Sequence, residues 1–241
     1  MITSYKLCFF KIVLSTLIME KKLNLIKIFS YSLFVCFFAS FCFAHQPRLI
    51  YQSLSSESSP YLIYNPDISQ AFYWQLKWSP DYFSFHLDKE ITWYISLTVP
   101  DISWATKNYS FELKKDWMLI ANIDWVNFQR SEFYEKFAWD NYFQWPEIEQ
   151  IFSSWDYFIK IFNHNNQWKY VLAIWKIESF PFNEIINTYR VMPNLKLDYF
   201  WKTFLNLFNN YVWWAFLLSF LLICVLILVI MLVIKKIYKR K

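Results

Sequence analysis

The sequence contains no glycine, although a chain of 241 residues with ordinary usage would carry about 17. P-loops, Rossmann dinucleotide sites and collagen helices all require glycine, so the sequence as printed excludes them. Apolar residues make up 56% of the chain, and this much apolar surface also excludes a disordered protein.

Cysteine is absent between residues 45 and 211, because the four cysteines are Cys8, Cys36, Cys42 and Cys224. This central segment therefore has neither an internal disulfide nor a thiolate metal site. The three histidines, His45, His86 and His164, include no pair at metal-ligand spacing, and no nucleophile elbow surrounds a serine. We therefore expect a protein that is not an enzyme.

The N-terminal residues 1–44 are predicted to be a signal segment, with Met19 as the better start. Lys21, Lys22 and Lys27 form a basic region, and an uncharged apolar stretch follows over residues 28–43. Cys42 and Ala44 then provide the small residues of a cleavage site, so the mature chain would begin at His45. An uncleaved anchor helix is the alternative.

A second apolar run begins at Val212, ends at Ile234 and carries no charge in 23 residues. As a helix it would be about 35 Å long, enough to cross the lipid hydrocarbon and bind membrane lipid. Five Lys and Arg residues follow within residues 235–241, which predicts a cytoplasmic tail and a body outside the cell membrane.

The net charge of +5 belongs to the two ends of the chain. Residues 45–211 carry 14 Lys and Arg against 18 Asp and Glu, which makes the body acidic. Nucleic-acid binding requires a basic patch on the folded surface, so we expect no nucleic-acid partner.

Alternation of apolar and polar residues with period two predicts strands over most of the body. In the stretch 91–99, Ile91, Ile95, Leu97 and Val99 share one face. The other predicted strands cover residues 61–64, 71–77, 82–87, 109–114, 118–123, 147–152, 157–163 and 170–174. Short strands with this spacing predict a mainly β fold, an antiparallel jelly-roll-like sandwich over residues 45–180.

Two segments lack this alternation. Residues 131–139 are predicted to form a helical turn or a long loop. Residues 181–211 are predicted to form a stalk, with a short helix over 182–197 that leads to the transmembrane helix and the tail over 235–241.

The 14 tryptophans lie between residues 74 and 214, several of them in turn contexts that favour glycine, such as Lys-Trp-Ser-Pro at Trp78. Similar turn contexts surround Trp117, Trp125, Trp155 and Trp168. One hypothesis explains both the absence of glycine and the tryptophans in turns: the gene comes from a lineage that reads UGA as glycine, as some uncultured bacteria do. The alternative is a natural protein rich in tryptophan and free of glycine.

A paired pattern starts at Trp155, with the sequence Trp-Asp-Tyr-Phe-Ile-Lys-Ile, and returns at Trp168 as Trp-Lys-Tyr-Val-Leu-Ala-Ile. With glycine at both positions, it resembles the end of the bacterial pre-peptidase C-terminal type of β-sandwich. The chain also resembles uncharacterised membrane-anchored bacterial envelope proteins around residues 69–74 and 175–179. The resemblance implies a jelly-roll-like, non-catalytic accessory module of the cell envelope.

Candidate metal ligands are Asp140, Glu147 and Glu149, the last two on one face of a predicted strand. Their oxygens suit Ca²⁺, and the alternative is a solvated acidic rim. No other cofactor is indicated.

Three functions follow from these observations. The first is a module that presents a surface to an envelope protein, and the second is a glycan-binding module, with or without calcium. The third is an envelope hydrolase accessory protein.

Overall fold

The structure is a computed structural model that describes residues 45–51, 55–103, 106–124, 126–136, 138–175 and 177–238. The predicted signal segment and the last three residues of the tail lie outside the described residues. Within them, most of the chain from Gln46 to Trp175 forms two β-sheets, and helices follow.

Seven strands form the larger sheet: β1 (Gln46–Leu49), β3 (Gln70–Lys77), β5 (Ile91–Pro100), β8 (Ser131–Glu135), β9 (Asp140–Gln144), β10 (Ile148–Phe152) and β12 (Gln167–Trp175). Their order is β1-β3-β12-β5-β9-β8, and β10 also pairs with β5. The smaller sheet contains β2 (Tyr61–Leu62), β4 (Asp81–Leu87), β6 (Tyr109–Lys115), β7 (Met118–Ile123) and β11 (Trp155–Asn163). Its order is β2-β4-β11-β6-β7.

The strand pairing is antiparallel except at two edges, where β1 pairs with β3 and β2 pairs with β4 in parallel. The mainly β prediction and the two-sheet, sandwich-like architecture are therefore confirmed. The finer prediction of a jelly roll is not confirmed by these strand orders.

The main hydrophobic core consists of side chains from alternate positions of both sheets. From β5 it receives Ile95, Leu97 and Val99, and from β11 it receives Tyr157 and Ile159. These are the inward positions that period two predicted, and burial of such large apolar side chains contributes about 1.5–3 kcal/mol each.

The opposite side of the larger sheet is covered as well. Tyr73 and Val171 point away from the main core on β3 and β12, and they form a second cluster with Leu195, Tyr199 and Phe200. The central strands of this sheet are thus buried on both faces.

This cover comes from the segment that was predicted to be a stalk. Four helical elements follow β12: α1 (Phe182–Asn194), a π-helical turn (Leu195–Tyr199), a 3₁₀ helix (Phe204–Phe208) and α2 (Tyr211–Tyr238). In α1, Ile185, Thr188 and Met192 are buried. The segment 182–207 belongs to the same compact unit as the strands. The predicted division of the body at residue 180 stays a prediction.

The helix α2 contains the apolar run that the sequence predicted. In its 21-residue stretch Phe216–Lys236, the most apolar window has a mean hydropathy of 3.5, and none of that window is buried. By length and composition this helix can span a membrane; that it does so stays a prediction.

Within the segment 131–139, residues 131–135 form β8 and pair with β9, so this part is neither a helical turn nor a loop. Phe133 and Tyr134 are both exposed on this edge strand. Because both of these neighbouring residues are exposed, the strand lacks the apolar–polar alternation that identified the other strands.

Seven described residues other than glycine have positive φ. Three of them are Asn or Asp, which tolerate this region, and four are Trp78, Trp139, Trp168 and Trp201, with φ of 66°, 57°, 84° and 51°. Trp78 and Trp168 were among the predicted glycine positions, whereas Trp117 and Trp155 do not have positive φ and Trp125 lies outside the described residues.

Candidate functional site

The outer side of the smaller sheet is the candidate binding surface, and we call it the open face. It is formed by the outward residues of β4, β11 and β6, which are Tyr82, Ser84, His86, Phe158, Lys160, Phe162, Glu112 and Lys114. These side chains are exposed or partly exposed. On the outer side of the larger sheet, in contrast, the central positions Ala71, Tyr73, Lys169, Val171 and Ala173 are buried. The two sheets therefore differ: one has a covered outer side and the other presents its outer side to solvent.

Strand register sets the order of groups on the open face. Lys160 lies between Tyr82 of β4 and Glu112 of β6, and its Nζ is 3.5 Å from a Glu112 oxygen. The same ammonium lies 4.7 Å from the centre of the Phe162 ring. Lys114 Nζ is 3.6 Å from Glu57. Aromatic rings thus alternate with charged donors and acceptors across the strands.

One end of the open face carries stacked rings. Trp117 is 66% exposed and stacks on Phe158, with ring centres 5.4 Å apart and an angle of 15° between planes. Lys115 Nζ lies 5.1 Å from the Trp155 ring. Exposed rings beside hydrogen-bonding groups can pack against an apolar face of a ligand and bind its polar rim.

His86 lies at the same end of the open face, on β4 opposite Asp156 of β11, and it is placed between two carboxylates. Its Nδ1 is 2.7 Å from Asp156, and its Nε2 is 3.6 Å from Asp88. All three side chains are exposed, and a cavity of about 300 Å³ that includes His86, Asp88 and Lys89 in its lining opens beside them. The triple offers polar contacts to a ligand.

The structure gives Asp140 a role different from the predicted one. Asp140 is 1% exposed on β9, its Oδ2 accepts a hydrogen bond of 2.7 Å from Lys196 Nζ, and its Oδ1 accepts one from Lys202 Nζ. Lys196 also donates to the Ala138 carbonyl oxygen. Burial lowers the pKa of Lys196, and the carboxylate opposes this shift. Two ammonium groups therefore occupy the oxygens that were expected to bind calcium.

The other two predicted ligands lie elsewhere. Glu147 precedes β10 and accepts a hydrogen bond from Gln144 Nε2, and Glu149 is exposed opposite Tyr94. Across the described ranges, no three His, Cys, Asp or Glu side chains are grouped so that they could hold a metal ion. The structure thus does not bring the three predicted residues together.

A second lysine, Lys169, forms hydrogen bonds between the larger sheet and the segment 182–207. Lys169 of β12 donates hydrogen bonds of 2.5 Å and 2.9 Å to the carbonyl oxygens of Asp198 and Tyr199. Burial lowers the pKa of this lysine to about 8. Sequence reasoning missed Lys169 and Lys196, because their partners lie 29 to 58 residues away and no local pattern marks the pairing.

Asp81 is a further buried carboxyl that the sequence did not reveal. It is 2% exposed, and Tyr170 Oη donates a hydrogen bond of 2.9 Å to its Oδ2. Burial raises the pKa of this carboxyl to about 7, although hydrogen bonds from Tyr170 and Ser55 oppose the shift.

Neither a model of a protein family nor a curated protein matches this sequence. Among solved structures, the chain is similar to the pre-peptidase C-terminal domain of collagenase from Bacillus anthracis. The sequence identity is 10% and the TM-score 0.32, over 51% of this chain and 96% of the other. The two-sheet architecture described above rests on the strands of this chain alone.

Proposed function

We propose that this protein is a non-catalytic, single-pass protein of the cell envelope that binds a partner through the open face of its β-sandwich. The observation that carries the proposal is the difference between the two sheets. The segment 182–207 packs on the larger sheet, and the smaller sheet keeps partly exposed rings and charges on its outer side. A surface of this composition suits recognition of a partner.

The proposed location follows from charge and hydropathy. The apolar helix would anchor the chain in the cell membrane, the basic tail would stay in the cytoplasm, and the acidic body would lie outside. The signal segment over residues 1–44 would direct export and be removed before His45.

A glycan is the second candidate partner, and the stack of Trp117 on Phe158 favours it. A sugar ring can pack on such exposed rings while Lys160 and Glu112 bind its hydroxyl groups. Phe158, Phe162 and Tyr82 would keep part of this surface even if Trp117 were glycine in the native protein.

The test is a binding screen with the full chain in detergent. The purified protein is applied to a glycan array and to envelope protein extracts, with and without a calcium chelator. Glycan binding would select the second candidate, and its loss on chelation would add a calcium requirement. Binding to a protein but to no glycan would select the first candidate.

A variant pair links binding to the open face. Phe158→Ala should abolish binding, whereas Phe133→Ala, at an exposed ring on β8 of the other sheet, should leave it unchanged. If both variants bind like the parent protein, the open face is not the binding surface. Hydrolysis of an envelope substrate by the parent protein would overturn the non-catalytic assignment.

We also propose that UGA encodes glycine in the native host and that the printed tryptophans at positive φ are glycines there. The four positions Trp78, Trp139, Trp168 and Trp201 support this, because the left-handed region favours glycine and strongly disfavours bulky residues. The indole Nε1 atoms of Trp74 and Trp145 are buried without a hydrogen-bond partner in the described structure, which is unusual for native tryptophan.

Peptide mass spectrometry of the native protein tests this directly, read beside the codons. We expect residues 78, 139, 168 and 201 to have the mass of glycine. Tryptophan masses at these positions would overturn the recoding proposal and strengthen the glycan alternative, because the exposed indoles would then be real.

A further inference from the structure

The 3₁₀ helix before α2 exposes several large apolar side chains. Phe204 is 66% exposed and Leu205 is 75% exposed, and Phe208 is also exposed, whereas Leu207 is buried. Tyr211 continues this exposed apolar surface at the start of α2. We call Phe204, Leu205, Phe208 and Tyr211 the apolar collar; none of them is a tryptophan, so recoding would not remove it.

The apolar collar leads directly into the apolar helix. The stretch Phe216–Lys236, which is long and apolar enough to cross a membrane, begins eight residues after Phe208. A chain that enters lipid at this helix must bring the preceding residues to the membrane surface, because eight residues of helix extend only about 12 Å.

The charge of this region also suits a lipid surface. No Asp or Glu occurs from Tyr199 to the C-terminus, and the body otherwise carries an excess of acids. Anionic lipid headgroups therefore meet no repulsive side chain in this part of the sequence.

Local contacts hold the collar in place on the body. Asn210 donates from Nδ2 to the Leu207 carbonyl oxygen at 2.7 Å, and its Oδ1 accepts a hydrogen bond of 3.0 Å from the backbone N–H of Trp213. Tyr189 of α1 packs against Phe216, with ring centres 5.8 Å apart. The 3₁₀ helix and the first turns of α2 are thus attached to the folded unit.

We infer that the apolar collar binds the lipid–water interface and holds the sandwich on the membrane surface. This inference rests on the proposed membrane anchoring and adds a second, peripheral contact to it. Apolar and aromatic side chains of a short segment parallel to the surface bury themselves at the headgroup boundary.

The test measures the depth of single nitroxide labels in the full chain, reconstituted in vesicles of phosphatidylcholine and phosphatidylglycerol. Cys8, Cys36, Cys42 and Cys224 are replaced by serine, and one cysteine is added in each of four variants: Leu205→Cys, Phe204→Cys, Leu228→Cys and Lys89→Cys. Leu228 lies in the apolar helix, and Lys89 is exposed in the turn after β4. Dissolved oxygen reports lipid, and a water-soluble nickel chelate reports solvent.

We expect the oxygen-to-nickel accessibility ratio at Leu205 and Phe204 to exceed that at Lys89 several-fold and to approach that at Leu228. If Leu228 is in lipid while Leu205 and Phe204 match Lys89, the collar inference is wrong and the anchoring stands. If Leu228 also matches Lys89, the anchoring itself fails. An immobile label at Leu205 that neither reagent reaches would mean that another protein segment covers the collar, which also overturns the inference.

Discussion

Backbone conformation separates the tryptophans into two kinds. Trp78 is 79% exposed in the turn after β3 and has φ of 66°. Trp117 is similarly exposed in the turn between β6 and β7 but is not among the residues with positive φ. A bulky residue in the left-handed region costs about 1–2 kcal/mol, and glycine does not. The two positions form a matched pair.

In the protein made with tryptophan at all 14 positions, Trp78→Gly should raise the free energy of unfolding by about 1 kcal/mol. The measurement is thermal or denaturant unfolding of the full chain in detergent. Trp117→Gly is the control and should leave stability unchanged or slightly lower, because it relieves no strain and adds chain entropy. Equal effects of the two substitutions would show that φ at residue 78 does not disfavour tryptophan.

Burial of Asp81 predicts a pH dependence of stability. Its pKa is raised from 3.8 to about 7 in the folded protein, so the folded state binds more protons than the unfolded state between these values. Stability from this group therefore falls as pH rises from about 4 to 7, and the cost is absent below the unfolded pKa.

Asp81→Asn removes this charge and keeps an oxygen that can accept the hydrogen bond from Tyr170 Oη. The stability of the variant relative to the parent should rise by about 2–4 kcal/mol between pH 4 and pH 7.5. Thermal unfolding of both proteins over this pH range measures it. Asp88→Asn, at a side chain that is 98% exposed, is the control and should show no such trend. If the stability difference between Asp81→Asn and the parent does not change with pH, the carboxyl stays ionised when buried.

At the scale of elements, two buried lysines help to hold the segment 182–207 against the larger sheet. Lys196 reaches Asp140 of β9, and Lys169 of β12 reaches the carbonyl oxygens of the π-helical turn. Leu195 and Tyr199 add apolar contacts with the larger sheet. These hydrogen bonds and the ion pair thus set the position of the segment 182–207, and apolar contacts add to its attachment.

Asp140→Asn should destabilise the protein by about 3–5 kcal/mol, because it leaves Lys196 as a buried charge without its counterion. Hydrogen exchange should also rise in the segment 182–207, measured by mass spectrometry on the full chain. Glu149→Gln, at the exposed acid on β10, is the control and should change stability by less than about 0.5 kcal/mol. Protection of 182–207 that stays unchanged in Asp140→Asn would show that apolar packing alone holds this segment.

The strands that sequence reasoning found carry apolar core residues at every second position. Each of Ile95, Ile159 and Leu172 lies in such an alternating series, so the three strands that contain them were predictable from period two. Residues 131–135 were not predictable in this way, since both Phe133 and Tyr134 are exposed and β8 depends on its partner β9. β1 contains Pro47 at a sheet edge, which also hides it from strand patterns.

The open face was predictable only in part, because strand order decides which residues meet. The sequence shows Phe158 and Lys160 as outward residues of one strand. It does not show that Glu112 and Tyr82 lie on either side of Lys160, since those pairings join residues 48 and 78 positions apart. The same holds for Asp140, which pairs with a lysine 56 residues further along the chain.

At the scale of the whole molecule, charge is divided along the chain in a way that predicts orientation. The body has a net charge of −4, and the tail after the apolar helix carries five basic residues and no acid. Basic residues close to a membrane span keep that end in the cytoplasm. The tail should therefore decide the orientation of α2.

A green fluorescent protein fused to the C-terminus tests this, because it fluoresces in the cytoplasm and fails to fold when exported unfolded. We expect the parent fusion to fluoresce. Replacing Lys235, Lys236, Lys239, Arg240 and Lys241 with glutamine should lower the fluorescence about twofold or more at equal protein level, as part of the population inverts. Glutamine at Lys89 and Lys160 in the body is the control and should change nothing, because charges far from the span have little effect on orientation. Fluorescence that survives removal of all five basic residues would show that the N-terminal segment alone sets the orientation, and a dark parent fusion would place the tail outside the cytoplasm.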